Sequence, residues 1–140
     1  MHIETYSYDN RKEIDNIYIH DSYFDDININ LNSKKMYITI SGEYLEGKSC
    51  VIIFENMIHF ECDRLDLWGG EENRILGIYL GNDDEPDKYI NYKVEKEQKN
   101  VFHKIKFEQN KCKFINVCIQ TNTGDIISII CEKMLFVYDY

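Results

Sequence analysis

Alanine is absent from this chain, and proline occurs once, at Pro86. The strongest helix former is therefore missing while isoleucine, tyrosine, phenylalanine and asparagine are abundant, which argues against a helical bundle and for extended, half-buried segments. No run of about eighteen apolar residues exists, so no spanning helix is expected. The stretch "MHIETYSYDNRKE" lacks the basic-then-apolar order of a secretory signal. No C-x-x-C pair occurs among Cys50, Cys62, Cys112, Cys118 and Cys131. Their odd number and apolar surroundings predict free buried thiols, and with no signal the expected location is cytoplasmic. Phosphate-loop and dinucleotide fingerprints are also missing, since "LWGGEEN" has neither the length nor the lysine.

What is present is a soluble globular composition of 140 residues, 44% hydrophobic and 29% charged, enough for one domain spanning residues 1–140 and too little for two. Net charge is −9, and it is uneven: residues 1–70 hold 13 acids against 6 bases. An acidic surface disfavours a nucleic-acid partner, because each phosphate contact needs a cation, and it suits a basic protein partner.

Apolar and polar residues alternate repeatedly. In "DININL", Ile27, Ile29 and Leu31 share one face; in "KMYITISG", Met36, Ile38 and Ile40 do; "NSKK" between them reads as a hairpin turn. "SCVIIFE" is apolar on both faces, as a central strand would be. "MIHFECD", "RILGIYLG", "KYINYKVEKE", "VFHKIKFEQ", "CKFINVCIQ" and "IISIICEKMLFVYDY" continue the strand pattern. "GNDDEPDK" reads as an acidic loop, and "TNTGD" as a turn in which Gly124 takes positive φ. Residues 10–15 and 95–100 are the two segments compatible with a helical turn. Nine or ten strands joined by short turns predict an all-β fold, an antiparallel β-sandwich or a partly open β-barrel.

Several stretches invite a functional reading. His20, Asp21 and Ser22 are the residue types of a hydrolase triad, yet neighbours on a strand point to opposite faces and three consecutive residues cannot converge. A strand terminus with Asp21 or Ser22 capping backbone amides is the expected structure. Asp21, Asp25 and Asp26 could meet Asp83, Asp84, Glu85 and Asp87 in a cation site if the two loops lie at one end, but no D-x-D-x-D-G order is present. His2, His20, His59 and His103 lack zinc spacing, so no metal or cofactor is expected. Trp68 precedes Gly69 and Gly70 and is either a core anchor beneath a sharp turn or an exposed contact. Lys99, Lys104, Lys106, Lys111 and Lys113 alternate with apolar residues, which reads as a solvated face rather than a single-strand binding groove.

The order "IHDSYFDDI", then "CVIIFENMIHFE", then "LWG" resembles small bacterial proteins of the YxiG-like kind, which carry an early His-Asp-Ser. The resemblance covers the first eighty residues. Some members lie near polymorphic-toxin loci, which implies an immunity-type role and no catalytic residues.

The sequence thus predicts a non-enzymatic protein-interaction domain whose contacts are Asp21, Asp25, Asp26, Trp68, Asp83, Asp84, Glu85 and Asp87. A second reading is a small-ligand or carbohydrate site with Tyr18, Tyr23, Tyr37 and Tyr79 as stacking platforms. Nothing in the sequence selects an oligomeric state.

Overall fold

The computed structural model describes residues 1–42, 45, 49–62, 74–98 and 113–138. Trp68, His103, Cys112, the strand expected at "VFHKIKFEQ" and all of the lysine stretch except Lys113 lie outside the described residues.

The described residues form nine strands in two antiparallel sheets that are not closed into a barrel, so the fold is an all-β sandwich. β1 is His2–Tyr6, β2 Tyr23–Asn30, β3 Lys35–Ser41, β4 Cys50–Glu55, β5 His59–Cys62, β6 Ile75–Leu80, β7 Ile115–Thr121, β8 Ile126–Cys131 and β9 Lys133–Tyr138. The first sheet runs β1-β9-β4-β3-β2 and the second β5-β8-β7-β6. The alternation of β3 lies behind this pairing. Met36, Ile38 and Ile40 are fully buried, and they stand in register with the buried Phe54, Ile52 and Cys50 of β4. From the other side Ile75, Ile115, Val117, Ile119, Ile127 and Ile129 fill the space between the sheets. Each such side chain contributes about 1.5–3 kcal/mol by leaving water.

Among the described residues the chain passes between the sheets at one double corner. Residues 56–58 lead from β4 to β5, and Glu132 leads from β8 to β9. Asn56, with φ 49°, donates from Nδ2 to Glu132 Oε2 at 2.9 Å, and the Glu132 amide donates to Glu55 O at 3.2 Å, so the two crossings brace each other. The hairpin turns follow expectation at Gly124, whose φ is 89°. Leu31 departs from it: β2 ends at Asn30, whose Oδ1 accepts the Ser33 amide, and Leu31 sits in the turn 82% exposed.

The larger correction concerns residues 85–98. The strand expected at "KYINYKVEKE" is the C-terminal part of helix α1, Glu85–Gln98. The signals for it were present. Asp84 supplies the first helical acceptor, its carbonyl taking the Lys88 amide at 3.0 Å. Pro86 follows in the first turn, where a missing N–H costs nothing, and Glu85 and Asp87 complement the helix dipole. Ile90 and Tyr92 share a face only in a strand; in the helix Ile90 is buried with Pro86, while Tyr92 is 58% exposed. α1 packs beside β7 on the outer face of the second sheet. The Tyr89 ring stacks on His59 at 4.3 Å between centroids, and its hydroxyl donates to Ile58 O at 3.3 Å. A short 3-10 helix, Arg11–Asn16, borders β6 and confirms one of the two segments read as able to turn; α1 covers most of the other.

Candidate functional site

The His-Asp-Ser run is a tight turn leading into β2. Asp21 adopts φ 65°, a left-handed conformation that aspartate tolerates better than most residues. Its amide donates to Ile75 O at 2.8 Å, and the Ile75 amide donates back to Ser22 O at 2.8 Å. This exchange fastens the turn to the start of β6. His20 Nδ1 lies 3.0 Å from Asp21 Oδ2, both side chains being partly exposed. Ser22 is fully buried, and among the described residues its Oγ has no hydrogen-bond partner. Its full burial places this hydroxyl out of a solvent-borne substrate's reach. The expected capping by Asp21 or Ser22 side chains is not observed. Asp21 turns to His20 instead, and the Ser22 amide closes the turn by donating to Ile19 O at 3.1 Å.

The remaining acidic candidates separate into two groups. Asp25 and Asp26 are exposed on β2, an edge strand. The register shifts between Phe24 and Asp26, which makes Asp25 the extra residue of a bulge. Neither carboxylate has a hydrogen bond or ion pair among the described residues. Asp83 is held by Arg11, with Nε 3.0 Å from Oδ1 and Nη2 3.4 Å from Oδ2, and this guanidinium holds its carboxyl below the usual carboxylate range. Asp84 pairs with Lys88 at 3.1 Å, one helical turn away. Glu85 and Asp87 belong to the first turn of α1, not to a loop. The two groups do not meet. The Asp21 turn is fastened to Ile75 and the Asp83 group follows Leu80, so about 17 Å of strand separates them. No cluster of three metal-ligating side chains exists among the described residues.

Of the tyrosines expected as stacking platforms, Tyr23, Tyr37 and Tyr79 do not gather. Tyr37 is on the outer face of the first sheet, Tyr79 stands opposite Cys118 in the second, and the Tyr23 hydroxyl accepts from Arg74 Nη2 at 3.0 Å.

One feature joins an expected contact residue to a surface that the sequence reading missed. In the first sheet, β9 and β4 bury Phe136 and Ile52 inward and turn Val137 and Val51 outward. The register aligns Ile3, Val137, Val51, Thr39 and Asp26 in one cross-strand row of the outer face. The next row is Thr5, Leu135, Ile53, Tyr37 and Asn28. Its central members are half-buried, and no described element packs over them, whereas the second sheet carries α1 on its outer face. The result is an apolar strip crossing four strands and ending at Asp26. Its signal was the two-sided apolarity of "SCVIIFE", which reads equally as burial in a third layer.

A second cluster also escaped the sequence reading. Glu4 accepts from the Tyr6 hydroxyl at 3.2 Å and the Tyr138 hydroxyl at 3.5 Å, and His2 Nε2 lies 3.3 Å from it. Burial first and the Glu4 charge second push the Tyr6 hydroxyl up to about 12 and raise Tyr138. The same two causes push the Cys50 thiol up to about 12. Both tyrosines and Cys50 therefore stay neutral at physiological pH, and the convergence of the Tyr6 and Tyr138 hydroxyls on Glu4 joins β1 to β9.

No described helix is long and apolar enough to cross a membrane. No family model, curated protein or solved structure matches the chain.

Proposed function

We propose that this chain is a protein-interaction domain that receives a basic protein partner on the outer face of its five-stranded sheet. The observation that carries the reading is the apolar strip from Ile3 to Tyr37 bordered by Asp25 and Asp26, whose carboxylates have no pair among the described residues. An apolar centre with a polar rim is the usual anatomy of an interface. The net charge of −9 supplies long-range attraction to a basic surface, and exposed aspartates with no pair among the described residues are open to contact. Asp83 and Asp84 are less suited, being already engaged by Arg11 and Lys88. The finer form of the proposal, an immunity-type inhibitor of a basic toxin, is motivated by the resemblance of the opening stretch.

The test is affinity capture from the native cell with three baits: the wild-type chain, Asp25→Lys/Asp26→Lys, and Val51→Lys. The expected result is a basic protein held by the wild type, lost from both variants, and associating more slowly as salt rises. An acidic partner, or equal capture by all three baits, overturns the reading.

A further inference from the structure

The two edges of the first sheet are built differently. β2 carries the bulge at Asp25 and presents Asp26, Asn28 and Asn30 to water, features that discourage an added strand. β1 has no bulge and no polar row on its outer face, and its polar residues at this edge, His2 and Glu4, point to the other face. Its register with β9 runs unbroken from His2↔Tyr138 to Tyr6↔Met134, it contains no proline or lysine, and its outward residues are Ile3, 46% exposed, and Thr5.

The free peptide groups of β1 can be placed. Each residue of an antiparallel strand turns its N–H and C=O to one side, alternately. Thr5 O accepts from Asn10 Nδ2 at 2.9 Å, which sets Thr5 facing away from β9. Ile3, two residues earlier, faces the same way. Asn10 thus covers the Thr5 end of the open edge, and Ile3 is left with its peptide groups toward solvent.

We propose that β1 pairs antiparallel with β1 of a second copy about a twofold axis through Ile3, merging two five-stranded sheets into one of ten. A twofold perpendicular to the sheet keeps each face on its own side, so every residue must meet one from the same face. With the axis at Ile3, that residue exchanges both hydrogen bonds with its own copy. His2 then stands opposite Glu4 of the second copy, and Glu4 opposite His2. An axis at Glu4 sets two carboxylates against each other, one at His2 sets two imidazoles together, and one at Thr5 needs the carbonyl that Asn10 occupies. Charge and local capping therefore select a single register.

The pairing is continuous with the surface described above. The row Val51, Val137, Ile3 runs on into the same three residues of the second copy, which doubles the apolar strip. The acidic β2 edges end up about 43 Å apart, from nine strand spacings. That separation is several times the screening length of about 8 Å at physiological salt, so their like charge opposes the pairing little. Because Asn10 holds the Thr5 carbonyl, the ladder is confined to His2–Glu4 with Ile3 at its centre, whereas an axis at Thr5 would lose its central pair; the contact is small, and the dimer is concentration-dependent.

Sedimentation velocity over a concentration series, with no partner added, tests this. The wild type is expected to show monomer–dimer exchange. Ile3→Pro removes only the N–H at the open edge, Ile3→Lys puts two ammonium groups on the axis, and His2→Glu opposes carboxylate to carboxylate. Each is expected to weaken association by about tenfold or more while the far-ultraviolet spectrum stays that of the wild type. Asn28→Lys, on the other edge, leaves association unchanged. If Ile3→Pro fails to fold, the other two variants read the same contact without altering the backbone. A monomer at every concentration, or a dimer that survives both Ile3→Lys and His2→Glu, overturns the proposal.

Discussion

At the residue scale, the most informative atom is Ser22 Oγ. A buried hydroxyl without a partner costs about 1–3 kcal/mol, so its removal should relieve the fold rather than damage it. Ser22→Ala is expected to leave the urea midpoint unchanged or raise it; a clear fall would mean that the hydroxyl has a partner. The thiols give a second prediction. Cys50, Cys118 and Cys131 are buried, and desolvation raises all three pKa values. In the folded protein they should resist a disulfide reagent that reaches the partly exposed Cys62, and they should react on unfolding. The same burial fixes the alkaline limit. Cys50 moves from an ordinary 9.0 to about 12 and Tyr6 from 10.0 to about 12. Both are neutral when protonated, and the unfolded chain gives up these protons first. Stability from this source is therefore whole below about pH 9 and declines toward pH 12. A thermal midpoint that falls across that window, and falls less in Cys50→Val, is the expected profile.

At the element scale, α1 and its seat on the second sheet can be tested residue by residue. Ile90 is buried and Tyr92 is exposed, the contrast expected of residues two apart on a helix, which point about 200° away from each other around its axis. Ile90→Ala should cost about 2–4 kcal/mol and Tyr92→Ala within about 0.5 kcal/mol, measured by urea unfolding. Beneath the start of the helix, Gly81 lies against the outer face of β7, its amide donating to Asn116 O at 2.8 Å. A Cβ there would stand 2.8 Å from Asn116 Cγ and 3.0 Å from Cys118 Sγ. Asn116 cannot easily give way, because its Oδ1 accepts from Ser128 Oγ at 2.8 Å and the residue is 6% exposed. Gly81→Ala should thus destabilise by about 1–3 kcal/mol, and part of that loss should return in Gly81→Ala/Asn116→Ala.

At the scale of the whole molecule, β9 is the member on which the first sheet depends. It lies between β1 and β4, buries Met134 and Phe136, and holds β1 to the remaining strands. Removing residues from Lys133 onward should abolish cooperative unfolding in calorimetry. Removing residues 1–6, which strips one edge strand, should lower the midpoint yet preserve a single transition. A construction in which a late strand fills the gap between an early strand and the middle of the sheet depends on contacts between residues far apart in sequence, such as His2 with Tyr138. Such pairings fold more slowly than local ones.

The sequence by itself determined what depends on neighbours. Alternation placed Met36, Ile38 and Ile40 on one face, composition and alternation set an all-β fold with sandwich and barrel both open, and Gly124 located a turn, because side-chain direction on a strand and positive φ at a turn are local properties. Only the tertiary structure decided the rest. Ile90, Tyr92 and Val94 fit a strand, and Pro86, Ile90 and Val94 fit a helix; the outer face of the second sheet, with Asn116, Cys118 and Ile130 to be covered, selected the helix. "IISIICEKMLFVYDY" reads as one extended run, and the bend at Glu132 divides it between two sheets. The aspartates near residues 21 and 83 look alike in composition, yet β6 holds them at opposite ends, and the strip ending at Asp26 exists only through the register of five strands. Periodicity fixes which side of its own strand a residue takes, while the identity of the neighbouring strand is settled by which faces can close over one core.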